Sequence, residues 1–590
     1  MRKTFVILIV FILLQGLAVA GEVSLSRQVQ NLTAFTKLCG YVKHFYPADE
    51  AADFPWAKFQ AYGAEKVINA QNNEELRTIM LELFTPVVPT LQLYTGKKDK
   101  AYDLAKLIPE NPTAYSTTFW QYRGLKLSPN SVYQSIRARR PFKIPVNKEQ
   151  PNTEAIMNLV LPCLESSFSK ARISFSLMKP SSDSLKVYYG VYYGPQAVND
   201  SLEVSGWKRR TYLLEGLQVQ DLDCSLYFTD FETIFLDSLK CEVMVDGAWQ
   251  TIYDNDFSDS MPGTPPKHLN TNCMRMSNYV TANTDQVVEA LNAKKVLAIR
   301  KAAPDASFTT GYLNKIFEEE SQLGELVDEP LIKGLSCRFP LALYANNEHT
   351  YPRADTLKLR WLQEKLQPID LADKVSIYNH LSGLTTYWNH LCFFYPYWQY
   401  TKVDWERELP KTIEKILTEP DFTAFKATLR ELISKTLDGH ASLSGRDEHY
   451  LIPGFKVDKV EGRWIVTGVV DDSLHLPLGL EVGTIDGLPF TRFMKSQRKY
   501  FTKATTQGTD SYLFISAMMA YPDSMAVFGF RTPDGNTITK EVKFGPYQSE
   551  LSYSRPEKTA RYTGGIWYVN IGLINEEEIL QMMPELAKAK

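Results

Sequence analysis

The sequence predicts a multidomain α+β protein. Its 590 residues exceed the roughly 100–200 residues of a usual single domain, so three to five domains are expected. A helical pattern occurs twice, once near the start of the chain and once after residue 370. Between and after the two copies, apolar residues alternate over short segments separated by turn residues, which is typical of strands.

A secretory signal peptide is predicted at residues 1–20. Arg2 and Lys3 are followed by an apolar run over 5–14, and Ala18-Val19-Ala20 offers small residues for cleavage before Gly21. The run is shorter than the ~20 residues that a membrane-crossing helix needs. We therefore expect an exported protein, in the periplasm or at the cell exterior, without an integral membrane segment after cleavage.

Composition and motifs argue against several classes of function. The formal net charge of −3 does not suit a nucleic-acid partner. The sequence has no H-E-x-x-H, P-loop or G-x-G-x-x-G motif, and we expect no metal and no cofactor. Seven dispersed cysteines without a C-x-x-C pair do not indicate a disulfide framework, although a Cys224–Cys241 bridge is an alternative that we do not favour.

The helical pattern is an internal repeat built around a Phe-Tyr-Pro turn. The turn occupies residues 45–47 and 394–396, and a tryptophan follows each copy after eight residues, at Trp56 and Trp405. Amphipathic segments follow each turn, and Asp404 is placed to cap one of them, although Pro410 should kink that helix or delay its start. We interpret the aromatics as helix-packing residues. Two related helical modules are predicted, at 21–130 and 371–447.

The middle of the chain is predicted to be a β-sandwich over residues 131–260. Strands are expected at 172–177, 185–193, 208–214, 225–228 and 240–245. No specific residue assigns this domain a ligand. Residues 261–370 are treated as a connecting region, with helical patterning around 286–300 and 312–323.

The last third is again rich in predicted strands. A β domain is expected over residues 448–548, where a glycine-rich stretch at 478–489 contains two turns around a short strand. Residues 549–590 then give a strand at 566–571 and an amphipathic helix from 576, with Asn575 as its cap. A strand followed by such a helix is the first half of a βα unit, and its apolar face requires a sheet to cover.

These motifs, in this order, resemble the tail-specific (C-terminal processing) serine peptidases, especially their tricorn-like branch. The resemblance rests on Leu437-Asp438-Gly439-His440-Ala441, the helices around Trp388 and Trp405 that precede it, and the 479–489 stretch, which resembles the PDZ-like domain of that family. The strand at 566–571 resembles the first strand of the catalytic domain, so the last residues would form the first βα unit of an incomplete α/β catalytic domain.

The resemblance implies peptide hydrolysis by a serine nucleophile, with His440 as the general base. A hydroxyl becomes a good nucleophile only when a base takes its proton. We expect Gly439 to adopt the left-handed conformation that ends the preceding helix. The other interpretation, of equal weight, is that Asp438 and His440 only hold the helix end to the next domain. The segment in which the family carries its nucleophile would follow residue 590, so no peptidase activity is expected of this chain.

Peptide or protein chains are the expected partners. The residues that would bind them are predicted at Gly479, Leu480, Ile485, Asp486 and Gly487, in the PDZ-like domain. Two alternatives remain. The chain is either the non-nucleophile portion of a secreted serine-type peptidase, or a non-catalytic exported peptide-binding or scaffold protein. A reading frame that continues past Lys590 with a strand, a turn and a serine would decide for the first.

Overall fold

The computed structural model describes residues 23–588 with internal gaps. The gaps are 97–101, 126–132, 146–153, 160, 163, 165, 181–185, 194–195, 204, 220–221, 223, 261, 264–265, 267–268, 272–283, 304–307, 314, 347, 442, 444–450, 502–504, 520, 522–523 and 547–557. The predicted signal peptide therefore lies outside the described residues.

The chain divides into two compact units, Met1–Tyr395 and Pro396–Lys590. Helices and several separate sheets occur in the chain, which confirms the predicted α+β class at that level. Within the described part of the chain, no helix combines the length and the apolar character needed to span a bilayer.

Six α-helices lie within the described residues of the first unit. They are α1 (Leu25–Phe45), α2 (Asp49–Ala52), α3 (Trp56–Val67), α4 (Asn73–Phe84), α5 (Thr356–Leu366) and α6 (Ile377–Phe394). The side chains of Ser24, Asn72, Asp355 and Ser376 each accept a backbone N–H of the first turn that follows them. These caps fix where the long helices begin.

The first Phe-Tyr-Pro turn ends α1 and folds the chain back. Tyr46 is extended, as expected for a residue that precedes proline, and its side chain is fully buried. Its hydroxyl accepts a hydrogen bond from Thr90 at 3.0 Å. The indole of Trp56 donates to the Ala51 carbonyl at 2.9 Å. The predicted packing role of these aromatics is confirmed for this copy.

The helix that precedes the second Phe-Tyr-Pro turn packs in the first unit, where α6 lies against α1 and α3. The hydroxyls of Thr36 and Thr385, which are 349 positions apart, meet at 3.0 Å. The Asn389 amide donates to the carbonyls of Thr36 and Thr385 at 2.9 and 2.8 Å. The predicted module over 371–447 is therefore wrong as a single body, because α6 buries its apolar face on helices at the other end of the sequence.

Two small sheets connect sequence-distant parts of the first unit. The first contains β1 (Gln92–Thr95), β17 (Leu326–Ile332) and β18 (Leu335–Pro340). The second contains β2 (Ser116–Arg123), β3 (Gln134–Arg137), β19 (Ala342–Ala345) and β20 (Thr350–Tyr351). Because strands before and after the sandwich pair with each other, the sandwich is an insertion within the helical part of the unit.

Asp49 joins these segments at the start of α2. Its carboxylate accepts hydrogen bonds from Arg137 at 2.6 Å, from Arg140 at 2.6 and 3.1 Å, and from the Thr350 backbone N–H at 3.0 Å. The side chains of Arg137 and Arg140 are only 10% and 5% exposed. One carboxylate therefore balances two nearly buried guanidinium groups.

The described residues of the inserted sandwich form thirteen strands. In chain order they are β4 (Arg140–Pro145), β5 (Glu154–Leu159), β6 (Phe168–Lys179), β7 (Val187–Tyr193), β8 (Gln196–Leu202), β9 (Gly206–Val219), β10 (Cys224–Thr229), β11 (Thr233–Val245), β12 (Ala248–Asn255), β13 (Leu269–Thr271), β14 (Thr284–Leu291), β15 (Lys294–Lys301) and β16 (Phe308–Leu313). One sheet has the order β4-β16-β13-β5-β10-β7-β8. The other has the order β14-β15-β11-β6-β9, with β12 also paired to β11.

All five strands predicted between 172 and 245 are present, but two expectations for the following region are wrong. The boundary at residue 260 is wrong because β13 to β16 complete both sheets. The helical patterning at 286–300 and 312–323 is wrong as well, since the first range is the hairpin β14–β15 and no helix occupies the described part of the second. Asn292 and Ala293 both have positive φ, which gives the two-residue turn that joins β14 to β15.

The sandwich core is apolar and contains no disulfide among its described residues. Phe175, Phe228 and Leu236 are among the fully buried side chains that fill the space between the sheets. Cys224 and Cys241 are both buried in this core and are not joined by a disulfide, so the alternative bridge is absent.

The second unit begins with two helices, α7 (Trp405–Thr418) and α8 (Phe422–Ser434). Asp404 caps α7 as predicted, and Asp421 caps α8. Pro410 lies inside α7 and does not delay its start. A sheet with the order β22-β23-β24-β26-β27 follows, in which β25 also pairs with β24.

The strands of this sheet and its neighbours are β21 (Leu451–Ile452), β22 (Phe455–Val460), β23 (Arg463–Val469), β24 (Glu481–Ile485), β25 (Leu488–Pro489), β26 (Met525–Arg531), β27 (Thr537–Lys543) and β28 (Gly545–Pro546), the first and last of which pair with each other. Two helices, α9 (Phe490–Gln497) and α10 (Thr506–Met519), cover the sheet. Phe455, Phe514 and Phe528 lie at the centre of the resulting core.

The last described elements form a hairpin and a helix. The hairpin pairs β29 (Thr559–Tyr562) with β30 (Ile566–Val569), and α11 (Glu576–Leu586) follows with the predicted Asn575 cap. None of the residues of α11 is buried, and Leu580 and Met583 are 61% and 51% exposed. The apolar face that the sequence predicted for this helix is therefore uncovered.

Candidate functional site

The Asp-Gly-His segment leaves the end of α8 by a left-handed turn. The residue with positive φ is Leu437, at 55°, and Gly439 is not in the left-handed region. The expectation that Gly439 ends the helix is therefore wrong. The turn closes two residues earlier, where the Leu437 N–H reaches the Ser434 carbonyl at 3.3 Å.

His440 projects fully into solvent from this turn. The Asp438 carboxylate accepts the His440 backbone N–H at 2.8 Å, and its Oδ1 lies 3.5 Å from the imidazole Nδ1. Within the described residues, Asp438 is the only carboxylate within 4 Å of the imidazole nitrogens. A carboxylate in this place can orient the ring, which is one of the things a general base needs from a neighbour.

A cavity of about 180 Å³ adjoins the segment that carries His440. Gly439 and Ala441, on either side of the histidine, contribute to its wall. Apolar side chains from α8, α10 and the turn between α9 and α10 also line it: Ile433, Leu513 and Phe501. The polar lining consists of one cation and five hydroxyl groups: Arg430, Ser434, Tyr500, Thr509, Tyr512 and Ser516.

Polar contacts hold α8 against the short helical turn at Arg498–Tyr500. The Ser434 hydroxyl donates to the Lys499 carbonyl at 2.6 Å, and Glu431 pairs with Lys415 at 2.9 Å and with Lys499 at 3.4 Å. Burial alone would raise the pKa of Glu431, but the two lysines bring it below its usual range. The carboxylate is therefore charged near neutral pH and keeps one wall of the cavity in place.

Two of the predicted peptide-binding residues are fully engaged inside the sheet that β24 belongs to. The Gly479 N–H donates to the Val466 carbonyl at 2.9 Å, and the Leu480 carbonyl accepts the Val466 N–H at 2.8 Å. Leu480 and Ile485 are core residues, 2% and 1% exposed. Since β24 lies between β23 and β26, its backbone offers no open edge to a peptide.

Asp486 and Gly487 form the turn between β24 and β25, and both have positive φ. The Asp486 carboxylate accepts the Val527 N–H at 2.7 Å and a hydrogen bond from the Tyr521 hydroxyl. The structure thus brings the five predicted residues together as a turn and core segment, and their role in peptide binding stays a prediction.

The open edge next to α10 belongs to β22 instead, which sequence reasoning did not single out. β22 pairs with β23 through a two-residue turn at Glu461-Gly462, and no described strand lies on its other side. Val460 and Arg463 close this hairpin, so the main-chain groups of Asp458 face β23 while those of Val457 and Lys459 point to the open edge.

Helix α10 runs beside this edge. Lys459 pairs with Asp510 of α10 at 3.4 Å, and the rings of Phe455 and Phe514 lie 5.8 Å apart. The alternation of Phe455 and Val457 before a Glu-Gly turn marks a hairpin strand in the sequence. Its position at the edge depends on the order of the strands in the sheet, which a local pattern does not contain.

Comparisons with known proteins leave the family of this chain open. No protein-family model and no curated protein matches it. Among solved structures, mature CPAF, a chlamydial serine protease, is similar in two crystal structures. The complex with lactacystin has a TM-score of 0.25 and 18% identity, over 28% of this chain and 35% of CPAF. Mature CPAF without it has a TM-score of 0.25 and 19% identity, over 28% of this chain and 34% of CPAF.

A serine-to-alanine mutant of CPAF gives a TM-score of 0.26 and 20% identity, over 29% of this chain and 34% of CPAF. This chain therefore spans about a third of the length of the CPAF structures that it matches. TM-scores of this size are too low to establish a common fold.

Proposed function

We propose that this protein is exported, is related to the serine-type peptidases of the tail-specific kind, and binds extended peptides at the β22 edge. The observation that carries the proposal is the open edge of β22 beside α10. An extended chain can add a strand there through main-chain hydrogen bonds, and α10 supplies side chains for selectivity.

The peptidase part of the proposal rests on the sequence motifs. The Asp438-Gly439-His440 segment resembles that of the tail-specific peptidases, and the exposed imidazole beside Asp438 suits a base that serves a nucleophile on another element. The alternative, a non-catalytic peptide-binding or scaffold protein, uses the same edge. It is favoured by one observation: within the described residues, no serine hydroxyl is hydrogen-bonded to the His440 ring.

The edge is tested by replacing Lys459 with proline. Lys459→Pro removes an N–H that points to the open edge and leaves the β22–β23 ladder intact. We expect the affinity for an unstructured, fluorescently labelled casein peptide to fall roughly fivefold, since each lost main-chain hydrogen bond contributes about 1 kcal/mol. Fluorescence anisotropy measures the change.

Lys459→Ala is the matched control, because it removes the ion pair with Asp510 and keeps the backbone N–H. It should bind within about twofold of the unaltered chain, and an unchanged thermal midpoint for both variants excludes misfolding. Equal binding by the proline and alanine variants would show that β22 is not the peptide site.

Hydrolysis is a separate prediction. We expect this chain to bind casein peptides without cleaving them, because activation of a hydroxyl requires contact with a base and the described structure gives His440 no such contact. Incubation with labelled casein, followed by gel electrophoresis, checks this expectation. Cleavage that disappears in His440→Ala would contradict it and would identify His440 as the base.

A further inference from the structure

Two histidines and a lysine lie together where α1 and α6 end. Lys43 Nζ is 3.5 Å from His390 Nε2, and the rings of His44 and His390 are 5.5 Å apart in a perpendicular arrangement. Lys43 and His44 are in the last turn of α1, and His390 is near the end of α6. The cluster therefore bridges the two helices whose pairing completes the helical core of the first unit.

The surroundings of this cluster are aromatic. The rings of Tyr122, Phe393 and Phe394 contact His44 with centroid distances of 6.4, 5.8 and 5.1 Å. The His44 side chain is 2% exposed, and its Nε2 is buried without a hydrogen-bond partner in the described structure. A proton on this imidazole would be both desolvated and without an acceptor.

Within the part of the chain that the structure describes, no carboxylate lies within ion-pair distance of the cluster. Two further ionisable groups lie against it, the Cys39 thiol of α1 and the Tyr122 hydroxyl of β2, and burial raises the pKa of both, so they remain neutral. Among the described residues, no carboxylate of α3, β17 or any other packed element forms an ion pair with Lys43, His44 or His390. The negative ends of the two helix dipoles favour a cation here, but only weakly.

These surroundings disfavour a positive charge on either histidine. Burial, and then the charge of Lys43, lowers the pKa of His44 to about 2 and that of His390 to about 4. Burial also lowers the pKa of Lys43. The fold thus keeps both histidines neutral. In the unfolded chain a histidine titrates near pH 6.5. The contribution of the two histidines to the free energy of unfolding is therefore complete above that pH and is lost progressively below it.

We propose that Lys43, His44 and His390 form an acid-sensitive latch, which holds α6 on α1 at neutral pH and releases it on acidification. Protonation adds like charges beside Lys43 in an apolar site, and the simplest relief is to separate the two helices. Because α6 ends at Phe394, directly before the start of the second unit, its release would free the segment that connects the units.

The proposal is tested by measuring amide hydrogen exchange of residues 377–394 in the full chain from about pH 7 to about pH 4. The rates are corrected for the intrinsic pH dependence of amide exchange. We expect the amides of α6 to lose at least tenfold in protection, while the core strands of the sandwich stay protected. Trp388 of α6, which is 1% exposed, gives a second readout. The emission of Trp388 is obtained by subtracting the spectrum of Trp388→Phe from that of the unaltered chain. This emission should shift to longer wavelength when α6 separates and the indole meets water.

The two copies of the repeat indicate which substitutions should remove the latch without disturbing the packing. At the 349-residue offset, the counterparts of His44 and His390 are Phe393 and Tyr41, so His44→Phe with His390→Tyr installs side chains that the other copy already carries. This variant should keep α6 protected at acid pH. His475→Asn, in a loop of the second unit, is the control and should behave as the unaltered chain does.

Lys43→Met keeps the proposal testable if the double variant does not fold. It removes the charge that repels a proton on either histidine, so the acid transition should move to lower pH. Constant protection of α6 down to about pH 4, or the same loss in the variants as in the unaltered chain, would overturn the proposal.

Discussion

Replacement of Asp49 by alanine is expected to lower the free energy of unfolding of the first unit by about 3–5 kcal/mol. The reason is that Arg137 and Arg140 would keep their charges in a site where their side chains are 10% and 5% exposed, without the carboxylate that they share. Removal of one partner from a buried ionic cluster costs more than the cluster itself contributes, because the remaining charges stay desolvated. The Thr350 N–H also loses its acceptor.

Urea unfolding of the full chain, monitored by tryptophan fluorescence, measures this effect. Asp49→Asn should be intermediate, since it keeps the shape and part of the hydrogen bonding but not the charge. Asp53→Ala changes an exposed carboxylate at the end of the same short helix and should alter stability by less than about 0.5 kcal/mol. A loss below about 1 kcal/mol for Asp49→Ala would mean that water reaches the two guanidinium groups.

The second large effect is expected where the two repeats touch. Gly40 and Asn389 are counterparts at the 349-residue offset, and a Cβ on Gly40 would overlap the carboxamide of Asn389. Gly40→Asn should therefore cost about 3 kcal/mol through overpacking. Asn389→Gly should cost a similar amount, because it removes two hydrogen bonds to the Thr36 and Thr385 carbonyls and opens a cavity.

The exchange of the two residues tests whether the α1–α6 pair is symmetric. In the double variant Gly40→Asn with Asn389→Gly, the new asparagine would face the same two threonine carbonyls from the opposite helix. We expect the double variant to be more stable than either single variant, with a coupling of about 2 kcal/mol or more in the double-mutant cycle. Additive losses would show that the two helices are not equivalent in their packing.

Local chemistry predicted the elements whose signals lie within a few residues. The side chains of Asp404 and Asn575 cap the helices that follow them, as predicted. Residues 286–300 were predicted to be helical but form a hairpin. Their apolar residues, with polar residues on either side, are compatible both with one face of a helix and with two buried strands. The left-handed backbone of Asn292 and Ala293, together with pairing of β15 to β11, decides for the hairpin.

Long-range arrangement was less accessible from the sequence. The Phe-Tyr-Pro repeat was visible, but its two copies were expected to form separate modules, whereas α6 packs with α1. The 479–487 stretch was assigned to peptide binding on resemblance, yet Leu480 and Ile485 are core residues and Asp486 is held by Val527. A turn motif fixes the local backbone, while the place of a strand in its sheet depends on every other strand. The role of His440 remains a prediction.

The insertion of the sandwich between α4 and α5 has a consequence for synthesis on the ribosome. Thr36 is translated 349 residues before Thr385, its partner across α1 and α6. At about 5–20 residues per second, α1 and α3 would wait roughly 20–70 s for the helix that covers them. During that time the sandwich can already fold as the chain emerges. A chain that emerges amino terminus first would therefore expose an unfinished apolar helical surface after the β domain is complete, and such a surface is prone to aggregate.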